Sequence, residues 1–118
     1  TWEHVYAHGT VLLHDEFVED PVDHLRIHAI RVGDVGIVSH PTELFCQYGL
    51  DIKRRSPAAA TAIMDVADGY SGYCPTMAGI VGGGYSGKPI WWTRLAPGAG
   101  ESIVDTAARR LWEIWRGQ

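Results

Sequence analysis

Hydrophobic and polar positions sort the chain into a few elements. From Val22 to Ser39, "VDHLRIHAIRVGDVGIVS", apolar and polar residues alternate and then give way to a continuous apolar run. Gly33-Asp34 stands where a tight hairpin turn belongs, so the pattern predicts two adjacent strands. The second strand, "VGIVS", is apolar on both faces, which predicts a central place in its sheet. After His40-Pro41, the residues Leu44, Tyr48 and Ile52 fall four apart, and Lys53, Arg54 and Arg55 form a basic last turn ahead of Pro57. That spacing and ending predict a helix over about Thr42 to Arg55. "TAIMDVAD" then reads as a buried strand, completing a strand, helix, strand unit.

The flanks are read in the same way. Val5, Tyr6, Leu12 and Leu13 are spaced for one face of an opening helix. "AGIVGGGYSG" is glycine-rich and reads as a flexible loop, and "KPIWWTRL" reads as extended. "APGAGE" leads into a last helix, whose apolar stripe is Ile103, Ala107, Leu111 and Ile114, with Glu101, Asp105, Arg109, Glu113 and Arg116 facing away. Trp112 and Trp115 widen the stripe, which predicts that this side docks on further protein. The expected fold is α/β in the mixed α+β sense, with a small mixed sheet of about four strands and helices packed on it. Residues 1–118 read as one domain or a piece of one.

Composition narrows the function classes. The chain has 118 residues, 46% of them hydrophobic, enough for a core within a single domain or a piece of one. A net charge of -4 and a pI near 5.8, with no basic run beyond "KRR", give no footprint for nucleic acid. No apolar run approaches the roughly 18 residues that span a bilayer, and "TWEHVYAHGT" lacks the regions of a signal peptide. Thr1, with no methionine, leads straight into a helical pattern, which gives the expectation of a processed or excised fragment of a larger fold. Cys46 and Cys74 form neither a disulfide framework nor a C-x-x-C site.

Some chemistry can be set aside. "GGGYSGK" satisfies G-x-x-x-x-G-K, but Pro89 stands where Ser or Thr binds magnesium, and "IWWT" opens no helix. His4/His8 and His24/His28 have i, i+4 spacing without the Glu of H-E-x-x-H, so both pairs read as surface or packing residues. His40, beside Glu43, is the histidine kept as a possible site residue. Glu43 follows one strand and the "DGYSGY" loop follows the next, so both open on the rim where ligands collect in α/β sheets. On spacing alone, Glu43 is also what a helix dipole favours in its first turn, and Tyr73 is also an amphipathic loop plug.

"IRVGDVGIVSHPTELF", then "ADGYSGYCPT", then "GGGYSG" together resemble the later part of the catalytic domain of the neutral ceramidases, zinc-dependent amidases that cleave the N-acyl bond of ceramide. In that family a strand leads into Pro-Gly-Glu-Phe, matched here by Pro41-Thr42-Glu43-Leu44. An Asn-x-Tyr-x-x-Tyr motif follows, matched by Asp68, Tyr70 and Tyr73. This chain differs at Thr42 for glycine, Asp68 for asparagine and His40 for an apolar residue.

The resemblance implies that Glu43 and Tyr73 are the two late zinc ligands and that Tyr85 is a further active-site tyrosine, donating to the oxyanion as the amide is attacked. Tyr70 is expected to pack beneath the loop. The two histidine ligands, the catalytic serine and the arginine of the family fall earlier than this chain begins. The implied cofactor is therefore Zn2+, and the implied partners are the missing upstream part of the domain and a small-molecule or lipid amide. The resemblance also favours a secreted or cell-envelope location. The alternative from another class is a non-catalytic interaction domain or subunit that uses an exposed tryptophan-bearing surface.

Overall fold

Short runs rich in β-branched and other apolar residues form the strands of the main sheet. In a computed structural model that describes residues 1–117, His28–Val32 is β1 and Val35–Ser39 is β2, joined antiparallel across the Gly33-Asp34 turn. Gly33 has φ +58, a conformation that glycine adopts without the Cβ penalty. The strand Ala60–Met64, β4, pairs with β2 in parallel, so the sheet order is β1-β2-β4 with β2 central as its composition requires. The helix Cys46–Arg55, α2, crosses from β2 to β4.

The class is mixed α+β, as expected. The strands, however, divide between two sheets, because a second ladder forms from two short segments: Glu43–Leu44, β3, and Tyr73–Cys74, β5, paired in parallel. This ladder shortens the helix expected from Thr42. The N–H of Glu43 donates to the Gly72 carbonyl at 2.9 Å and that of Phe45 to the Cys74 carbonyl at 3.2 Å. With its backbone held in that ladder, the segment turns helical only at Cys46. "TAIMDVAD" likewise stays in the sheet only as far as Met64.

Two further expectations are corrected. The glycine-rich stretch begins with a short helix, Met77–Gly82, α3, because the Thr76 hydroxyl caps the Gly79 N–H at 3.1 Å. "KPIWWTRL" is not extended. Ile90 and Thr93 exchange backbone hydrogen bonds of 3.2 and 2.8 Å around a tight turn at Trp91-Trp92.

The first helix, α1, runs Trp2–Phe17, and the last, α4, runs Ala99–Arg116. The predicted stripe of α4 is its inner face: Ile103, Ala107 and Leu111 are buried, with Val104 and Ala108 beside them. The helix packs on β1, β2 and α2, and its core neighbours are Val38, Tyr48, Ile52 and Cys74. Trp112 lies at the edge of this contact, 42% exposed, with its indole N–H donating to the Arg55 carbonyl at 3.0 Å. Trp115 is half-buried, with the Arg31 guanidinium 4.3 Å above its ring.

Among the described residues no layer covers the other face of the sheet. Ile30, Val32, Val35 and Met64 lie on it, all exposed, with Ile37 and Ala62 between them. An apolar sheet face open to water contrasts with the polar outer face usual for a two-layer fold. Among the described residues no helix is long and apolar enough to cross a membrane.

Candidate functional site

The β3–β5 ladder puts Glu43 and Tyr73 directly opposite each other. Partners in register on adjacent strands project to the same side, so their side chains meet. The phenol of Tyr73 therefore lies beside the Glu43 carboxylate. Hydrogen bonding toward that carboxylate, then partial burial, then its negative charge push the phenol up to about 12. The carboxylate thus keeps Tyr73 protonated in the free chain.

Two more tyrosines complete the cluster. The hydroxyl of Tyr70 donates to Glu43 Oε1 at 3.2 Å. Burial and then the Glu43 charge also raise the pKa of Tyr70. Tyr85 sets the edge of its ring against Tyr73, centroids 5.8 Å apart, and stacks on Trp92 at 5.0 Å. The Trp92 indole N–H donates to the Tyr85 carbonyl at 2.9 Å, fixing the loop that carries this ring. Glu43, Tyr73 and Tyr85, the three residues that the resemblance singles out, are therefore neighbours.

Backbone anchors hold the loop beneath them. Ser71 N–H donates to the Pro41 carbonyl at 2.7 Å, and Tyr73 N–H to the Trp92 carbonyl at 2.6 Å. Arg94, only 8% exposed at its side chain, reaches the Tyr70 carbonyl at 2.6 Å and Asp23 at 2.9 Å. Val66 takes φ 53, costly for a β-branched residue. Its N–H is secured to the Thr42 carbonyl at 3.1 Å, beside the Ala67 N–H on the His40 carbonyl at 2.9 Å.

His40 proves to be a buttress. It is fully buried; Nδ1 lies 2.9 Å from the Thr42 hydroxyl, and Nε2 lies 3.2 Å from Asp65 Oδ1 at an angle that leaves Nε2 without a hydrogen bond. Asp65 Oδ2 accepts the Leu44 N–H at 3.0 Å, so the same aspartate braces β3. Burial lowers the pKa of His40, and Asp65 opposes only part of that effect. The folded ring therefore stays neutral while an unfolded one charges below about pH 6.5. Stability from this group is present above that pH and is lost as the pH falls. In an NMR titration His40 is expected to titrate below the ordinary 6.5; a normal midpoint there would refute its burial.

Tyr70 was expected to pack beneath the loop, and its donation to Glu43 replaces that expectation. The i, i+3 spacing of the two tyrosines in "YSGY" was the available signal. Arg94 and Trp92 gave none, since their role depends on the turn at Trp91-Trp92.

The donor chemistry suits part of a metal centre. A carboxylate and a phenol, both oxygen ligands, stand side by side, as the resemblance requires of this chain. Among the described residues no group of three or more His, Cys, Asp or Glu is placed to hold an ion. The pair is consistent with two ligands of a larger set and does not make a complete site by itself. The chain matches no protein-family profile, no curated protein and no solved structure.

Proposed function

We propose that this chain supplies the late metal ligands of a zinc-dependent amide hydrolase resembling the neutral ceramidases, which acts on a linear N-acyl amide to give a fatty acid and an amine. One observation carries the reading: Glu43 and Tyr73, distant in sequence, are register partners with side chains on the same side of the ladder, and the Tyr85 ring lies against Tyr73. An amphipathic loop plug with its hydroxyl in water has no need of a carboxylate partner.

Zinc, when bound, supplies a Lewis acid that polarises a carbonyl and acidifies water. Glu43 and Tyr73 would hold it, Tyr73 as the phenolate with its proton released to solvent, since a ligand must be deprotonated. The Tyr85 hydroxyl donates to the amide oxygen as negative charge develops there. Trp92, stacked on Tyr85, keeps that ring in place and water away from one side of it.

The uncovered sheet face bears on the partner. Ile30, Val32, Val35 and Met64 form an apolar layer, which fits a domain whose other layer is the upstream part that also brings the histidines. The alternative, an interaction domain acting through its tryptophans, rests on Trp2 at 66% and Trp112 at 42% exposure. Trp112 spends its N–H inside the chain, and Trp2 packs on Tyr85 at 6.1 Å, so both already serve the fold.

The test is zinc alone added to the full chain, followed by NMR. Glu43 and Tyr73 signals are expected to shift together with weak affinity, and Tyr73→Phe is expected to weaken binding by about tenfold or more. The isolated chain should leave an N-acyl-sphingosine intact. Zinc shifts that bypass both residues would remove the metal reading, and robust turnover by the chain alone would show that it is not half of a site.

A further inference from the structure

We infer that Tyr70 is the positioning residue of this site: its hydroxyl fixes the rotation of the Glu43 carboxylate, so that Oε1 is occupied and the remaining oxygen lone pairs are turned to Tyr73 and an incoming cation. The inference rests on the metal reading above and adds a residue to which that reading gave only packing. A glutamate carboxylate rotates broadly about its last bond, with two-fold symmetry. It accepts at about four lone-pair sites, so one donor leaves room for others. Tyr70 donates at 3.2 Å to Oε1 while Tyr73 stands in register opposite Glu43 on the neighbouring strand, so the carboxylate has one phenol bonded to it and another beside it.

Tyr70 is itself fixed at every other point. Arg94 Nη2 donates to its carbonyl at 2.6 Å, and Arg94 is held in turn by Asp23 and by Glu16 at 3.5 Å. The next residue, Ser71, is buried and tied to Pro41. The Tyr70 ring lies 6.0 Å from Trp91, centroid to centroid. Its hydroxyl is therefore aimed by the backbone and by its ring packing, independently of any ion. This is the arrangement of an outer partner that orients a metal-binding carboxylate, and loss of such partners typically lowers metal affinity about 10–100-fold. Because a cation requires Tyr73 to lose its proton, Tyr70 is the phenol that continues to donate once an ion is bound.

Tyr70→Phe keeps the ring on Trp91 and removes only the hydroxyl. Two measurements on the full chain test it. In the first, without metal, the Glu43 side-chain carboxyl 13C resonance is expected to move while the backbone amides of β3 and β5 stay in place. A purely structural role would shift the amides instead, and that result would overturn the inference. In the second, zinc alone is titrated into wild type, Tyr70→Phe and Tyr73→Phe. Weakening of zinc by about tenfold or more in Tyr70→Phe, with Tyr73 signals still responding, supports it. Wild-type affinity in Tyr70→Phe alongside weakened binding in Tyr73→Phe overturns the role of Tyr70 and leaves the metal reading standing. Absence of any zinc response at Glu43 and Tyr73 in the wild type removes both.

Discussion

Gly72→Ala is expected to unravel the tyrosine loop and lower the melting temperature by about 10 °C or more, a loss of about 3 kcal/mol. Gly72 has φ +75, where an L-residue pays roughly 1–2 kcal/mol. The larger cost is steric. A Cβ there would run into the Trp92 carbonyl oxygen and stand 2.7 Å from its carbon, and backbone atoms cannot swing aside as a side-chain tip does. The same peptides make the bonds that build the site, Gly72 carbonyl to Glu43 N–H at 2.9 Å and Trp92 carbonyl to Tyr73 N–H at 2.6 Å. Relieving the clash therefore breaks the ladder that pairs Glu43 with Tyr73. Gly82→Ala, with nothing within 4 Å, is the control and should melt as wild type does. Thermal unfolding followed by circular dichroism decides it, and equal melting of wild type and Gly72→Ala would contradict this account of the loop.

A steep alkaline loss of stability is the second large expectation. Burial, then the Glu101 charge, push the Cys74 thiol from 9.0 up to about 12. Burial, then a hydrogen bond to Glu101 at 3.0 Å, push Tyr48 up to about 12, where the Glu43 carboxylate also holds Tyr73. The folded state keeps these protons in a window where the unfolded chain has released them. The stabilisation is thus complete below about pH 9 and is lost progressively as the pH rises towards about 12. Chemical unfolding midpoints measured across that window should fall steeply. Tyr48→Phe should flatten the fall, although it also forfeits the bond to Glu101. A profile flat from neutral pH to about 12 would show that none of the three is held protonated by the fold.

Much of the scaffold was legible because its signals are local. The Gly33-Asp34 turn, the apolar run of β2 and the stripe of α4 each follow from spacing within one segment, and each stands where it was placed. The start of α2 was not legible, because Glu43 and Leu44 have no strand signature of their own and become a strand only when Tyr73 and Cys74 arrive beside them. "KPIWWTRL" failed for a related reason: its apolar run suits an extended strand, while its bonds close within Ile90 to Thr93. At the site, Glu43, Tyr73 and Tyr85 came from a motif resemblance, and periodicity contributed only their common rim. His40 shows the limit of adjacency, since a residue three positions from Glu43 points into the core.

The shortness of the β3–β5 ladder has a consequence for how insertions and deletions act on this chain. Two residues pair on each strand, and Glu43 faces Tyr73 by register alone. Slipping a strand by one residue flips side chains between faces in any sheet, and here it also changes the chemical element on offer. One residue lost between Ser71 and Tyr73 would bring Cys74 opposite Glu43, exchanging a hard oxygen donor for a soft sulfur one, and one residue gained would bring glycine and no donor at all. The loop is thus intolerant of length changes at a point where surface loops usually absorb them, and natural variation in its length would mark chains that have given up, or changed, whatever this pair of oxygens holds.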